Sequence, residues 1–155
     1  MIGRPARVNI RAHSMRRIFL TAAILALTGA AISGYALWQH YAPLGSSVCN
    51  VSETISCDIV NKSSFSEIMG IPVALMGLAG YLVMALLTFW AWRAEPRRRL
   101  LIQLLGVMVV AGLLFSLYLT YIELFVIGAI CPLCAGSQVV IALLTLTVFF
   151  LWRHT

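Results

Sequence analysis

The residues of this chain best suited to chemistry are four cysteines arranged as two pairs. Cys131 and Cys134 lie in the stretch Ala129-Ile130-Cys131-Pro132-Leu133-Cys134-Ala135, where two strongly apolar runs meet. Thiols three residues apart span one helical turn, which brings their Cα atoms to roughly 5 Å, within the reach of a disulfide. Proline is favoured at the first position of a helix because its missing N–H would have had no partner there, so Pro132 makes Cys131 the N-cap. A sulfur at that place faces free backbone N–H groups and the positive end of the helix dipole, both of which stabilise a thiolate. Cys134 would lie one turn deeper. On this motif alone a redox pair, a static staple and half of a metal site are all open readings.

The second pair, Cys49 and Cys57, falls in the one long polar stretch, residues 40–70, with Asn50, Ser52, Glu53 and Thr54 between the two sulfurs. No histidine accompanies them at close spacing, which favours an oxidisable pair over a zinc clamp. A permanent structural disulfide is the competing reading. Downstream, Ser64-Phe65-Ser66-Glu67 fits a capping box, so residues 65–69 are expected to form a short interfacial helix ended by Gly70.

These pairs must be positioned by membrane helices. The chain has 155 residues, 61% hydrophobic and only 10% charged, against roughly 25% charged in soluble domains. The fold class expected is all-α: an integral membrane four-helix bundle with an extracytoplasmic loop that carries the short helix. A span needs about 20 apolar residues, and four such runs occur, at 18–38, 71–92, 100–125 and 131–152. Trp38, Tyr41, Trp90 and Trp92 mark interfaces. Ala74, Gly77 and Gly80 would let a neighbouring helix approach span two closely. Residues 1–17 read as a disordered basic cytoplasmic arm, with Met15 a possible alternative start, and residues 153–155 as a cytoplasmic tip. A cleaved signal peptide competes for the first run, but that run exceeds the roughly 7–15 residues of a signal core.

The net charge of +6 reflects topology, not nucleic-acid binding: of eleven Lys and Arg residues, all but Lys62 lie in the arm, the Arg93–Arg99 turn or the tip. Basic flanks stay on the cytoplasmic side. Both termini are therefore expected inside and all four cysteines outside, where disulfides persist.

Two thiol pairs on one face suggest a relay, because disulfide exchange moves two electrons by contact between sulfurs. A flexible loop pair would collect electrons from a soluble partner, and the helix pair would pass them on. No flavin, haem or dinucleotide motif offers an acceptor and no metal is expected, so the acceptor would be a quinone dissolved in the lipid. Quinone reduction takes up protons, and Glu123 is the sole carboxylate within the apolar runs, a candidate for that task, at a depth near the outer interface where it would be solvated. The rival from another class is a non-enzymatic multi-pass subunit with structural disulfides or a thiolate metal site.

The run Cys49-Asn-Val-Ser-Glu-Thr-Ile-Ser-Cys57, then Ser63, then Gly70-Ile71-Pro72, then Tyr118-Leu-Thr-Tyr-Ile-Glu123 leading into Cys131-Pro-Leu-Cys134, resembles the vitamin K epoxide reductase family in its bacterial form. The likeness covers about residues 15–152, and the order of loop pair before helix pair makes it specific. It implies a thiol–disulfide oxidoreductase of the cytoplasmic membrane that reoxidises a soluble thioredoxin-like partner and so supports disulfide formation in exported proteins. By the same resemblance Cys49 meets the partner, Cys57 attacks Cys131, Cys134 sits beside the quinone, and Ser63 matches a serine near the loop. Many bacterial relatives carry a thioredoxin-like domain after span four, whereas Thr155 ends this sequence, so a separate partner is expected. Gln138 and Val73 stand where the vertebrate enzymes use a tyrosine and an asparagine for vitamin K. That difference favours a respiratory quinone, menaquinone or ubiquinone, and makes Gln138 a candidate quinone contact.

Overall fold

The computed structural model describes residues 5–52 and 54–154, with side chains over 15–52 and 54–153. Helix α1 runs Pro5–Tyr41, α3 Val73–Arg93, α4 Arg98–Ile122 and α5 Pro132–His154. Between α1 and α3 lie a one-turn helix, α2 (Cys57–Asn61), and a two-stranded hairpin, β1 (Glu67–Ile68) and β2 (Ile71–Pro72). Four segments, Met15–Tyr41, Val73–Arg93, Glu95–Ile127 and Pro132–Arg153, are long and apolar enough to cross a membrane. The all-α membrane bundle expected from the sequence is what the chain forms.

The long helices close into a ring in which α1 packs on α3 and α5, and α4 on α3 and α5. The inward residues of α1 are Ala22, Ala26 and Ala30, one turn apart, and they meet Tyr81 and Met84 of α3, Leu105 and Val109 of α4, and Val140, Ile141, Leu144 and Val148 of α5. Leu20, Ile24 and Leu27 point outward from the same helix and are exposed. A helix apolar on both its packed and its outer face suits lipid, where association depends on close backbone approach and not on hiding apolar surface. At the arginine-rich end a second cluster of Phe19, Ala91, Ile102 and Leu151 seals the ring.

Several expectations are corrected. The basic segment is not without structure: among the described residues it is helical from Pro5 and continues into the first span. Pro5 opens the helix, where proline costs nothing, and no glycine or further proline interrupts the run before the span. Residues 1–4 of the arm and Thr155 of the tip lie outside the described residues. The loop does carry a short helix, but at Cys57–Asn61 and not at 65–69. Ser56 is its cap, the hydroxyl accepting from Ile59 N at 3.3 Å. The capping box at Ser64 is unused because Glu67 pairs with His40 Nε2 at 3.0 Å, and because Pro72 holds Ile71 extended. Met69 and Gly70 both have positive φ, 54° and 79°, the two-residue turn that matches the twist of a tight hairpin. Span two consequently begins at Val73, after the hairpin has used Ile71 and Pro72. Span three starts at Arg98 and passes at Glu123 into a π-helical turn, Glu123–Ile127, ended by left-handed Gly128.

Close approach is visible at two glycines. A Cβ on Gly77 would stand 3.0 Å from Ser33 Oγ, and one on Gly29 would overlap the Tyr81 ring. Gly80, by contrast, faces open space. Gly29→Val should therefore push Tyr81 from its place and destabilise the bundle by about 1–3 kcal/mol, the usual overpacking cost. Thermal unfolding in detergent reads this out, and an unchanged midpoint would show that α1 and α3 are not locked at Gly29.

Candidate functional site

Cys131 directly precedes Pro132, the first residue of α5, and the backbone N–H of Cys134 donates to its sulfur at 3.4 Å. The N-cap placement expected from the Cys-Pro order is thus realised, with sulfur as the capping atom. Cys57 is the first residue of α2, directly after its cap Ser56, and both Cys57 and Cys131 are fully buried. The two segments are joined by a parallel bridge, Ile55 against Ile130. Ser56 N donates to Ile130 O at 3.2 Å and Ile130 N donates to Thr54 O at 2.9 Å. This register sets the Cys57 and Cys131 sulfurs 3.5 Å apart.

Cys49 and Cys57 form a disulfide with a Cα separation of 5.7 Å, and Cys131 and Cys134 are free thiols. All four sulfurs therefore gather at one end of the bundle, with Val60 and Ala129 packed among them. Among the described residues no group of three or more histidine, cysteine, aspartate or glutamate side chains is arranged to hold a metal. The hydrogen bond from the Cys134 thiol holds the Cys131 thiol below its ordinary range, opposing burial, and the Glu123 carboxylate nearby adds a weaker push upward.

Beneath the loop is a cavity of about 400 Å³ that reaches Cys134, Glu123, Tyr81, Ser137 and Val73. Glu123 is not the solvated interfacial carboxylate expected. It is only 6% exposed because it lies about four turns beyond Val109 on the inward face of α4, and its Oε2 accepts from Cys131 N at 3.3 Å. The Cys134 thiol also interacts with it. The π-helical turn that follows ends the helix at left-handed Gly128 and leads the chain on to Cys131.

Other candidates fall in different places. Ser63 lines the cavity, but its hydroxyl donates to Val60 O at 2.8 Å, ending α2. The Gln138 amide oxygen accepts from the Thr120 hydroxyl, which spends one of its polar groups on helix packing. Residues the sequence reading passed over also gather here. His40 Nδ1 meets Asn61 O at 2.7 Å, fastening α1 to α2. Tyr81 donates to Ser137 O at 2.8 Å across the bundle. A buried phenol inside an apolar run must find a partner, and a tyrosine in the middle of span two is the signal by which the sequence offers Tyr81.

With Cys134 replaced, the lone Cys131 thiolate can attack Cys57 and accumulate as a mixed disulfide. Serine retains an O–H donor toward Cys131 and alanine does not. Removing the donor raises the Cys131 pKa, so the pH midpoint for mixed-disulfide formation should lie higher in Cys134→Ala than in Cys134→Ser. Alkylation of the released Cys49 at a series of pH values measures both midpoints, and coincident midpoints would contradict this account of Cys131.

Compared with known families, residues 20–149 match the model described as "Vitamin K epoxide reductase family". The match spans all four membrane helices and, as the sequence resemblance anticipated, both cysteine pairs. A membrane bundle with a disulfide at its loop end and two free thiols behind it, matched over most of its length, belongs to the vitamin K epoxide reductase family and is a membrane thiol–disulfide oxidoreductase.

Proposed function

We propose that this oxidoreductase carries electrons from a reduced, soluble thioredoxin-like protein to a membrane quinone, and so drives disulfide formation in exported proteins. The observation that carries the reading is the 3.5 Å contact between Cys57 and Cys131, since exchange requires a thiolate in line with a disulfide sulfur. The partner's thiolate attacks Cys49, and Cys57 leaves as a thiolate. The partner's second thiol then closes the partner's own disulfide and frees Cys49. Cys57 attacks Cys131 of an oxidised helix pair, releasing Cys134. Cys49 next attacks Cys57, restoring the loop disulfide and freeing Cys131. Two electrons now reside on the thiols of Cys131 and Cys134, which is the combination of bonded loop pair and free helix pair described above.

The cavity suits a quinone ring: Met84, Phe115 and Ile141 give it apolar walls, and Cys134 and Glu123 give it polar points. Its size is within the range of small-molecule pockets, about 300–1,000 Å³. A quinone bound there supplies a two-electron, two-proton acceptor, either menaquinone or ubiquinone. Cys134 faces it, and Glu123 carries protons between the thiols and the cavity. Val73 and Gln138 stand where the resemblance puts an asparagine and a tyrosine in the vertebrate enzymes, and Gln138 is held by Thr120, which favours an ordinary respiratory quinone. Ser63 supports the loop beside the cavity. The basic arm of residues 1–17, the Arg93–Arg99 turn and residues 153–155 face the cytoplasm, and the bundle of residues 18–152 presents its cysteine end outside. Charge supports that orientation, and a membrane-impermeant thiol reagent should label reduced Cys49 from the outer side of intact cells. Labelling only after lysis would reverse the topology.

Quinol formation from purified protein, a quinone analogue and a reduced thioredoxin-like donor tests the pathway. Cys134→Ser should abolish turnover, and an undiminished rate would refute the role given to Cys134. Glu123→Gln preserves an acceptor for Cys131 N–H but cannot carry a proton, so quinol formation should slow by about 10²-fold, while exchange between loop and helix cysteines is not slowed because a charge that opposes the Cys131 thiolate is gone. Unchanged quinol formation would remove Glu123 from the proton path.

A further inference from the structure

Each cysteine of the loop pair is followed by a polar residue, Asn50 after Cys49 and Asp58 after Cys57, and the two side chains bridge the same two chain segments as the disulfide. Asn50 Nδ2 donates to Asp58 Oδ2 at 2.7 Å. Asn50 Oδ1 accepts from Asp58 N at 3.2 Å and from the Ser56 hydroxyl at 2.8 Å. Gly45 N donates to the same Asp58 oxygen at 2.7 Å, drawing the start of the loop into the set. The partners fix the orientation of the amide, because a backbone N–H can only donate and a carboxylate can only accept. Asp58 is 5% exposed, and two of these bonds end on its carboxylate, where hydrogen bonds are shorter and stronger than between neutral groups.

The ring closed by the disulfide is therefore closed a second time, one residue further along, by bonds that do not depend on redox state. We propose that Asn50 and Asp58 are positioning residues: they clamp the two ends of the ring together while the disulfide is open, so that Cys57 stays against Cys131 and Cys49 stays within reach of Cys57. The proposal rests on the reading above, in which this disulfide opens and closes in each cycle. Its chemical consequence lies in the closing step. The Cys49 thiolate attacks Cys57 in the Cys57–Cys131 disulfide, the Cys49–Cys57 bond forms, and Cys131 departs as a thiolate that takes up a proton. Without a clamp the reduced segment would regain chain entropy that ring closure must remove again. With it, transfer needs side-chain rotation and not travel of the whole loop.

The test is equilibrium of the purified full chain in graded glutathione buffers, with the loop pair and the helix pair scored separately by alkylation and mass spectrometry. Asn50→Ala should lower the equilibrium constant for the loop disulfide by at least about tenfold, because ring closure must then again remove the chain entropy that the clamp withholds. The Cys131/Cys134 pair should stay within about twofold, as expected of a site whose contacts are intact. Asp58→Asn keeps an amide oxygen that can accept from Asn50 Nδ2 and Gly45 N, whereas Asp58→Ala removes the acceptor, so the loop constant should stay higher in Asp58→Asn than in Asp58→Ala. A loop constant unchanged in Asn50→Ala overturns the clamp. If Asn50→Ala also disturbs the helix pair, the two Asp58 variants decide: a loop constant higher in Asp58→Asn than in Asp58→Ala supports the clamp, and equal constants overturn it. A wild-type loop disulfide that reduced donor cannot open would sink the functional reading and the clamp with it, whereas a disulfide that opens normally with an unaffected constant sinks the clamp alone.

Discussion

The site depends on the parallel bridge between Ile55 and Ile130. Its two backbone hydrogen bonds contribute only about 0.5–1.5 kcal/mol each to stability, yet they set the register of the loop against the start of α5. Cys57 begins α2 two residues after Ile55, and Cys131 follows Ile130 directly. Pairing those two isoleucines forces the sulfurs into contact inside a closed apolar cluster. A slip of one residue along the bridge would turn the sulfur toward the opposite face. Buried and shielded from water, the two sulfurs meet where competing thiols are excluded.

Reactivity at that contact is decided by opposing effects of different reach. Burial penalises a thiolate at Cys131, and the Glu123 carboxylate repels one. The hydrogen bond from Cys134, reinforced by the Cys134 N–H, outweighs both. That N–H belongs to the first turn of α5, where backbone donors have no partner within the helix. The Cys-Pro-Leu-Cys order therefore does two tasks at once: proline starts the helix without wasting a donor, and the second cysteine supplies both donors that steady the first. Glu123 takes the neighbouring Cys131 N–H, so its charge is satisfied by the backbone beside the sulfur.

What was legible in the sequence was whatever depends on long apolar runs and fixed local spacing. Four spans follow from runs of about 20 residues, and the N-cap sulfur follows from Cys131-Pro132. The loop was harder. Ser64 to Glu67 has the composition of a capping box, but Glu67 is taken by His40, which is 27 positions away in sequence, and no local pattern records that. Glu123 keeps the inward spacing of Val109 on α4, but a lone carboxylate near the end of an apolar run reads as solvated until the Cys131 N–H that binds it is in view. Asn50 and Asp58 were visible only as loop polarity until the fold brought them together. The helix in the basic arm has only a weak sequence signal, an opening Pro5 and no breaker before the span, and the density of charge there masks it.

The cavity raises a separate physical question, since an apolar void inside four tightly packed helices should close. Two features hold it open. At the arginine-rich end Phe19, Ala91, Ile102 and Leu151 seal the ring, while at the cysteine end α1 and α3 approach through Ser33 and Gly77 and the loop covers the gap they leave. Tyr81 forms the boundary, belonging both to the packed core and to the cavity wall. Its hydroxyl reaches Ser137 on α5, diagonally across the ring, so its ring is pinned at full stretch and cannot fold upward into the void. Gly29 leaves room for that ring, and Gly80, one residue before Tyr81, presents open space. A smaller residue at 81 would let core and cavity merge, and a larger one at 29 would drive the ring into the space beneath Cys134. The same phenol that completes the core therefore sets how close any molecule in the cavity can lie to the thiols.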